Sequence, residues 1–99
     1  MYVFTRRDLE PVHRVVQVGH AVIESTKFFP YQGEHPTIIV FGCKTEKSLE
    51  NALDTCQRQG IMVVEFREPA RGNELTAFAT AAMPRVKDER FRKYQLLKD

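Results

Sequence analysis

Ninety-nine residues, 42% of them hydrophobic and 28% charged, suffice for one domain with a modest core. That composition excludes a disordered, collagen-like or low-complexity chain, and no apolar run approaches the roughly 20 residues that a membrane-spanning helix needs. The net charge of +2 is uneven: residues 1–14 carry +1, residues 15–83 carry −2 and residues 84–99 carry +3, so positive charge gathers at the two ends of the chain.

Tyr2–Arg6 is rich in β-formers and predicts a first strand; the opening residues do not have the pattern of a signal peptide. Pro11 suits the first position of a helix, where its missing N–H costs nothing. From Val12 to about Ser25, the residues Val12, Val15, Val16, Gly19, Val22 and Ile23 recur at helical spacing and predict an inward face. β-Branched valines are mediocre helix formers, so packing against a sheet must hold this segment. Pro30, Gly33 and Pro36 mark residues 26–36 as loop. Thr37–Phe41 is a continuous apolar run, as expected of an interior strand covered on both faces.

Thr45 predicts the N-cap of a second helix with Leu49, Ala52, Leu53 and Cys56 inward, and Gly60 predicts its stop. The outward stripe Glu46, Glu50 and Asp54 is acidic and is expected to point away from any nucleic acid. Ile61–Phe66 predicts a third strand, residues 67–74 a turn, and Leu75–Ala81 a fourth strand antiparallel to the third. Pro84 starts a short basic helix with Val86 and Phe91 inward, followed by a tail, Tyr94–Leu97. The order β-α-β-α-β-β-α predicts an α/β fold, a single domain over residues 1–99 with a mixed four-stranded sheet and helices on both faces. A ferredoxin-like order fits less well, because a helix separates strands two and three. The basic ends read either as a solvated terminal helix or as a phosphate-facing patch.

Chemistry-bearing residues are few. His13, Gln17, His20 and Glu24 fall on one line along the first helix, with Arg14 beside them. An ordinary solvated face is the plainer reading of that line. The histidines lie seven residues apart without an HExxH pattern, and Cys43 and Cys56 lack zinc-ligand spacing, so no metal is expected. The two cysteines read as reduced thiols of a cytoplasmic protein. No Gly-rich phosphate loop, GxSxG elbow or CxxC is present, so no cofactor is expected and no serine or cysteine nucleophile is signalled.

Arg6-Arg7-Asp8-Leu9 followed by Gln17-Val18-Gly19-His20-Ala21 resembles the opening of type II peptidyl-tRNA hydrolases, in which a strand ends in Arg-x-Asp-Leu and the next helix carries Gln-x-x-His-Ala. The resemblance extends over nearly the whole chain. An apolar strand precedes an acidic helix, then come a Gly-led strand, a polar loop, a Thr-containing strand ending near Met83-Pro84, and a final helix and tail. It is nearest to the divergent branch of peptidyl-tRNA hydrolase domain-containing proteins, which share a Glu/Gln-Pro turn before the last strand and a basic end like Phe91–Leu97. The chain departs from the family pattern in several places, among them a shortened loop after the third strand and a helix before the second strand reduced to the loop at 26–36. His13 stands where the family has lysine, and Glu68-Pro69-Ala70 replaces an Asp-Ala-Gly turn.

The resemblance implies cofactor-free hydrolysis of the ester joining a peptide to the terminal ribose of tRNA, in the cytoplasm and without a membrane. That chemistry needs a base-activated water, donors aimed at the oxyanion, and cations for the acceptor-stem phosphates. The residues placed in these roles are Glu68 as carboxylate base or water-orienter, His13, Arg14 and His20 as charge-stabilising partners, and Thr76 as a hydrogen-bond donor. Arg6, Arg7 and Arg71 are placed as phosphate contacts, and Gln17 matches the family pattern beside them. Asp8 and Arg6 match too and are equally read as pairing with each other. A catalytically silent member of the same fold, binding tRNA, another RNA or a protein, is the alternative. The family often pairs through sheet-flanking surfaces, which leaves a homodimer open, but an inward valine stripe gives no exposed apolar face that demands one. The hydrolytic reading requires the bend after strand three to fold back over the start of helix one.

Overall fold

The computed structural model describes residues 1–83 and 88–98. Four strands, β1 (Tyr2–Arg6), β2 (Ile39–Cys43), β3 (Val63–Glu68) and β4 (Glu74–Thr80), form one sheet in the order β2-β1-β4-β3. β1 runs parallel to β2 and antiparallel to β4, and β4 runs antiparallel to β3. Helix α1 (Pro11–Phe28) supplies the crossover between the parallel strands and packs on one face of the sheet. Helix α2 (Glu46–Arg58) packs on the other. The α/β class, the mixed sheet and the order of its strands and two helices are those predicted.

The period of two along each strand separates the two cores. Tyr2, Phe4, Phe41 and Phe78 face α2, where Leu49, Ala52, Leu53 and Cys56 meet them. Phe4 and Phe78 stack with ring centroids 4.4 Å apart, at the short end of aromatic pair separations. On the other face Met1, Val3, Ala77 and Ala79 lie under Ala21, with Val18 and Val22 beside it. This second layer is thin because small residues oppose small residues.

Helix α2 ends where its sequence says. The Thr45 hydroxyl accepts from the Ser48 amide while the Ser48 hydroxyl accepts from the Thr45 amide, closing a capping box. Gly60 follows the last turn at φ +76°, a conformation costly for any residue with a Cβ. The acidic stripe is less solvated than expected. Glu46 accepts from the Leu75 amide and Glu50 pairs with Arg67, so two of the three carboxylates bind α2 to the sheet; Asp54 pairs with Arg58 at the surface.

Three expectations need correction. The valine stripe of α1 does not face inward: Gln17, Ala21 and Ser25 do, and Val12, Val15, Val16 and Ile23 are exposed. The helix sits close over alanines, and its buried polar groups find partners in the sheet, as Ser25 does with the Thr80 carbonyl at 2.9 Å. β2 is an edge position rather than an interior one; the chain end covers it, with Gly42 N–H donating to Gln95 O and Leu97 N–H to Val40 O. The basic helix expected from Pro84 lies partly outside the described residues, as does Val86; the part described is a single 3₁₀ turn, Glu89–Phe91. Phe91 is inward as expected, stacked on Tyr2 at 3.9 Å.

Candidate active site

The turn from β1 into α1 is built by two arginines. Arg14, on the first turn of α1, donates to the carbonyls of Leu9 and Arg7, while Leu9 is buried beneath. Arg6, at the end of β1, makes a two-bond fork to Asp8 at 2.9 Å and reaches Glu74 at 2.7 Å and the Leu75 carbonyl at 3.2 Å. Such bidentate pairs combine charge with fixed geometry. Hydrogen bonding to Arg6 holds both carboxyls, Asp8 and Glu74, below the usual carboxylate range.

The bend after β3 comes to the same place. Glu68 ends β3 and leads into the 3₁₀ turn Pro69–Arg71; Gly72 and Asn73 then take φ of +66° and +62° to start β4. Phe66 pairs with Ala77 but Arg67 with Leu75, so Thr76 is an extra residue on β4. A bulge of this kind re-aims a side chain. Leu75 faces α2, whereas the Thr76 hydroxyl points at α1 and donates to Gln17 Oε1 at 2.8 Å. Gln17 Nε2 in turn donates to Glu68 Oε1 at 3.2 Å.

Thr76, Gln17 and Glu68 thus form a chain from the middle of the sheet, through α1, to a half-buried carboxylate at the bend. Thr76 is 0% and Gln17 5% exposed, so both ends of the Gln17 amide are engaged out of water. The Thr5 hydroxyl adds a bond to the Thr76 carbonyl at 2.9 Å, fixing the bulge from the β1 side. One turn further along α1, the His20 imidazole stacks on Phe66 with centroids 4.5 Å apart. The polar line on α1 is therefore an engaged face along the end of β3, and only in part a solvated one.

The structure brings together Gln17, Thr76 and Glu68, with His20 beside them and Arg14 on the adjoining turn. His13 is exposed one turn before Gln17, and among the described residues neither histidine hydrogen-bonds to Glu68, whose bond goes to Gln17. Arg71 is near, paired with Glu74 at 3.6 Å. Arg6, 6% exposed and held by two carboxylates, faces the fold rather than a ligand. Arg7 is elsewhere: it donates to Gln95 and lines a cavity of about 270 Å³ with Leu96 and Lys98, so the two basic chain ends meet on the β2 side. Thr76 cannot donate to a substrate, because it is buried and its proton is committed to Gln17. Glu74 and Thr5 were not singled out in the sequence; a carboxylate six residues after Glu68, across a Gly-Asn turn, was the available sign of the first.

Among the described residues no three His, Cys, Asp or Glu side chains are placed to hold a metal ion, and no helix is long and apolar enough to cross a membrane. No family model matches the chain, and no characterised protein matches it significantly.

Proposed function

We propose that this protein hydrolyses the ester between a peptide and the terminal ribose of tRNA, as its resemblance to type II peptidyl-tRNA hydrolases implies. The observation that supports this most is the Thr76–Gln17–Glu68 chain. An exposed glutamate at a bend has many rotamers; one whose carboxylate is held by a buried amide has a set direction, which is what a general base requires. Glu68 takes a proton from water as the water oxygen attacks the ester carbonyl carbon. The resulting oxyanion collapses, the bond to the ribose oxygen breaks, and that oxygen receives a proton to leave as a hydroxyl. The products are a peptide acid and free tRNA. His20 and His13 lie on the α1 side of the bend as proton donors or charge partners, and Arg14 and Arg71 supply positive charge for the phosphates. Gln17 and Thr76 are positioning residues.

One observation favours a second reading, in which the protein binds RNA without turnover. Thr76, Arg6 and Arg14 all spend donors on the fold, leaving few fixed donors for an oxyanion. Incubation with a peptidyl-tRNA separates the two. Release that falls at least about a hundredfold in Glu68→Gln, the low end of a general base's contribution, supports hydrolysis. Salt-sensitive tRNA binding with no release supports the second reading, and neither binding nor release refutes both.

A further inference from the structure

β3 ends the sheet on the side away from β2, and its register on β4 sorts its backbone groups. The Ala81 N–H donates to Met62 O at 3.0 Å. Met62, Val64 and Phe66 therefore bond across to β4, while Val63 and Glu65 turn their N–H and C=O to the margin of the sheet. Among the described residues no further strand pairs there. Edge groups left unpaired in this way are a template for another strand.

That edge lies beside a groove of about 510 Å³. Val64 and Phe66, on the α1 face of the sheet, form its floor, and Phe28 and Phe29, where α1 ends, form its wall. Phe28 is 66% exposed. The rim carries Glu24, Glu65 and Arg67; because Arg67 is already shared between Glu50 and Glu65, the rim is acidic. The opposite edge shows how this sheet takes up an extended segment. There the chain's own tail lies along β2, with Gly42 N–H donating to Gln95 O, Leu97 N–H to Val40 O, and Leu96 bridging Phe41 in the antiparallel sense.

We propose that the open edge of β3 binds an extended segment of another protein as a fifth strand, with large apolar side chains at alternate positions towards α1 and a lysine or arginine between them, beside Glu65. Backbone bonds to Val63 and Glu65 hold such a segment, and the side-chain alternation selects it. Its side chains on one face enter the groove of Phe28, Phe29, Val64 and Phe66; those between lie on the Glu65 face, where an opposite charge is favoured. A nucleic acid is the poorer occupant, since its phosphates would meet Glu24, Glu50 and Glu65. Five residues along Val63–Arg67 span about 16 Å, a small contact, so binding is weak and reversible. Neither Glu68 nor Gln17 takes part, so the site stands apart from the hydrolytic reading.

The probe is a synthetic peptide, Val-Lys-Leu-Lys-Val, blocked at both ends, titrated into the full chain from about 10 μM to about 1 mM and followed by amide NMR. In the free chain the Val63 and Glu65 amides exchange with solvent quickly and those of Val64 and Phe66 slowly. With peptide, Val63 and Glu65 become protected, and shift changes map to Val63–Arg67, Phe28 and Phe29. The reordered peptide Val-Leu-Val-Lys-Lys, of the same composition, binds more weakly. An added strand bonds to an edge with every second residue, so N-methylation of one alternate set of peptide amides abolishes binding and methylation of the other set does not. Phe28→Ser weakens binding. Glu65→Lys weakens the lysine peptide by about fivefold, the top of the range for a cross-strand charge pair, and strengthens Val-Glu-Leu-Glu-Val; both variants keep the circular dichroism of the unmodified chain. Absence of binding at 1 mM, equal binding of the reordered peptide, or equal effects of the two methylation patterns overturns the proposal. So does protection of Val63 and Glu65 that grows with protein concentration without peptide, which would make a second copy the occupant.

Discussion

Replacing Thr76 by valine keeps the side chain's shape and removes one hydroxyl. Gln17 Oε1, now buried without its 2.8 Å donor, has no water to turn to at 5% exposure. Leaving a buried acceptor unpaired costs about 1–3 kcal/mol. For a domain of this length each kcal/mol moves the thermal midpoint by about 4–8 °C, so a cost near 2 kcal/mol lowers it by roughly 10 °C. Gln17→Met alone strands the Thr76 hydroxyl, which keeps only a long contact of 3.4 Å to the Phe66 carbonyl, and costs a similar amount. The double variant removes donor and acceptor together and is less destabilised than the sum of the singles, with a coupling of at least about 1 kcal/mol. Urea unfolding of the four proteins completes the cycle. Singles within about 0.5 kcal/mol of the unmodified chain, the range of ordinary surface changes, or strict additivity, would show that the buried relay does not exist.

Other consequences follow from the same geometry. Asp8 has its carboxyl held low in the folded state by Arg6, so its contribution is fully present above its unfolded value, about 4, and is lost as pH falls through the lower folded value. Stability measured between about pH 4 and pH 2 therefore drops more steeply for the unmodified chain than for Arg6→Met; parallel curves would contradict this. Cys43 and Cys56 are buried, and burial pushes both thiols up to about 11, so a thiolate-specific reagent at neutral pH labels them slowly until denaturant is added, and prompt labelling of the native chain would contradict the packing. Two glycines respond oppositely to alanine by chemical denaturation: Gly60→Ala, at φ +76°, destabilises by about 1 kcal/mol, whereas Gly19→Ala, where an added Cβ meets nothing within 4 Å, stabilises by about 0.5–1 kcal/mol. Equal effects at both sites would mean that their backbones are alike.

Helix α2 was legible in full, because Thr45, Gly60 and the stripe from Leu49 to Cys56 all state the same boundaries and the same buried face. In α1 two stripes compete. The apolar one is the stronger by hydropathy, yet the sheet takes the face of Gln17, Ala21 and Ser25, since small and satisfied polar side chains permit close approach to Ala77 and Ala79. Hydropathy cannot register a glutamine whose amide is fully bonded. The Arg6–Asp8 pairing was one of two readings of residues that match the family pattern, but its third member, Glu74, depended on the β3–β4 turn. The meeting of the bend with α1, on which the candidate site depends, was anticipated only through the family resemblance and its order of elements. The hydrogen-bonded chain at that meeting was not: the extra residue at Thr76 leaves no mark in the sequence, because a bulge is set by pairing across two strands. Pairing also explains the tail, since Gln95–Leu97 read as a loose end until β2 lacks a neighbour.

The most direct measurement is single-turnover release of peptide from a peptidyl-tRNA at low salt, comparing the unmodified chain with Glu68→Gln. The proposed role of Glu68 predicts that Glu68→Gln lowers release by about a hundredfold or more, with tRNA binding unchanged. Equal rates in the two proteins, with both folded and both binding tRNA, would contradict a role for Glu68 as the base.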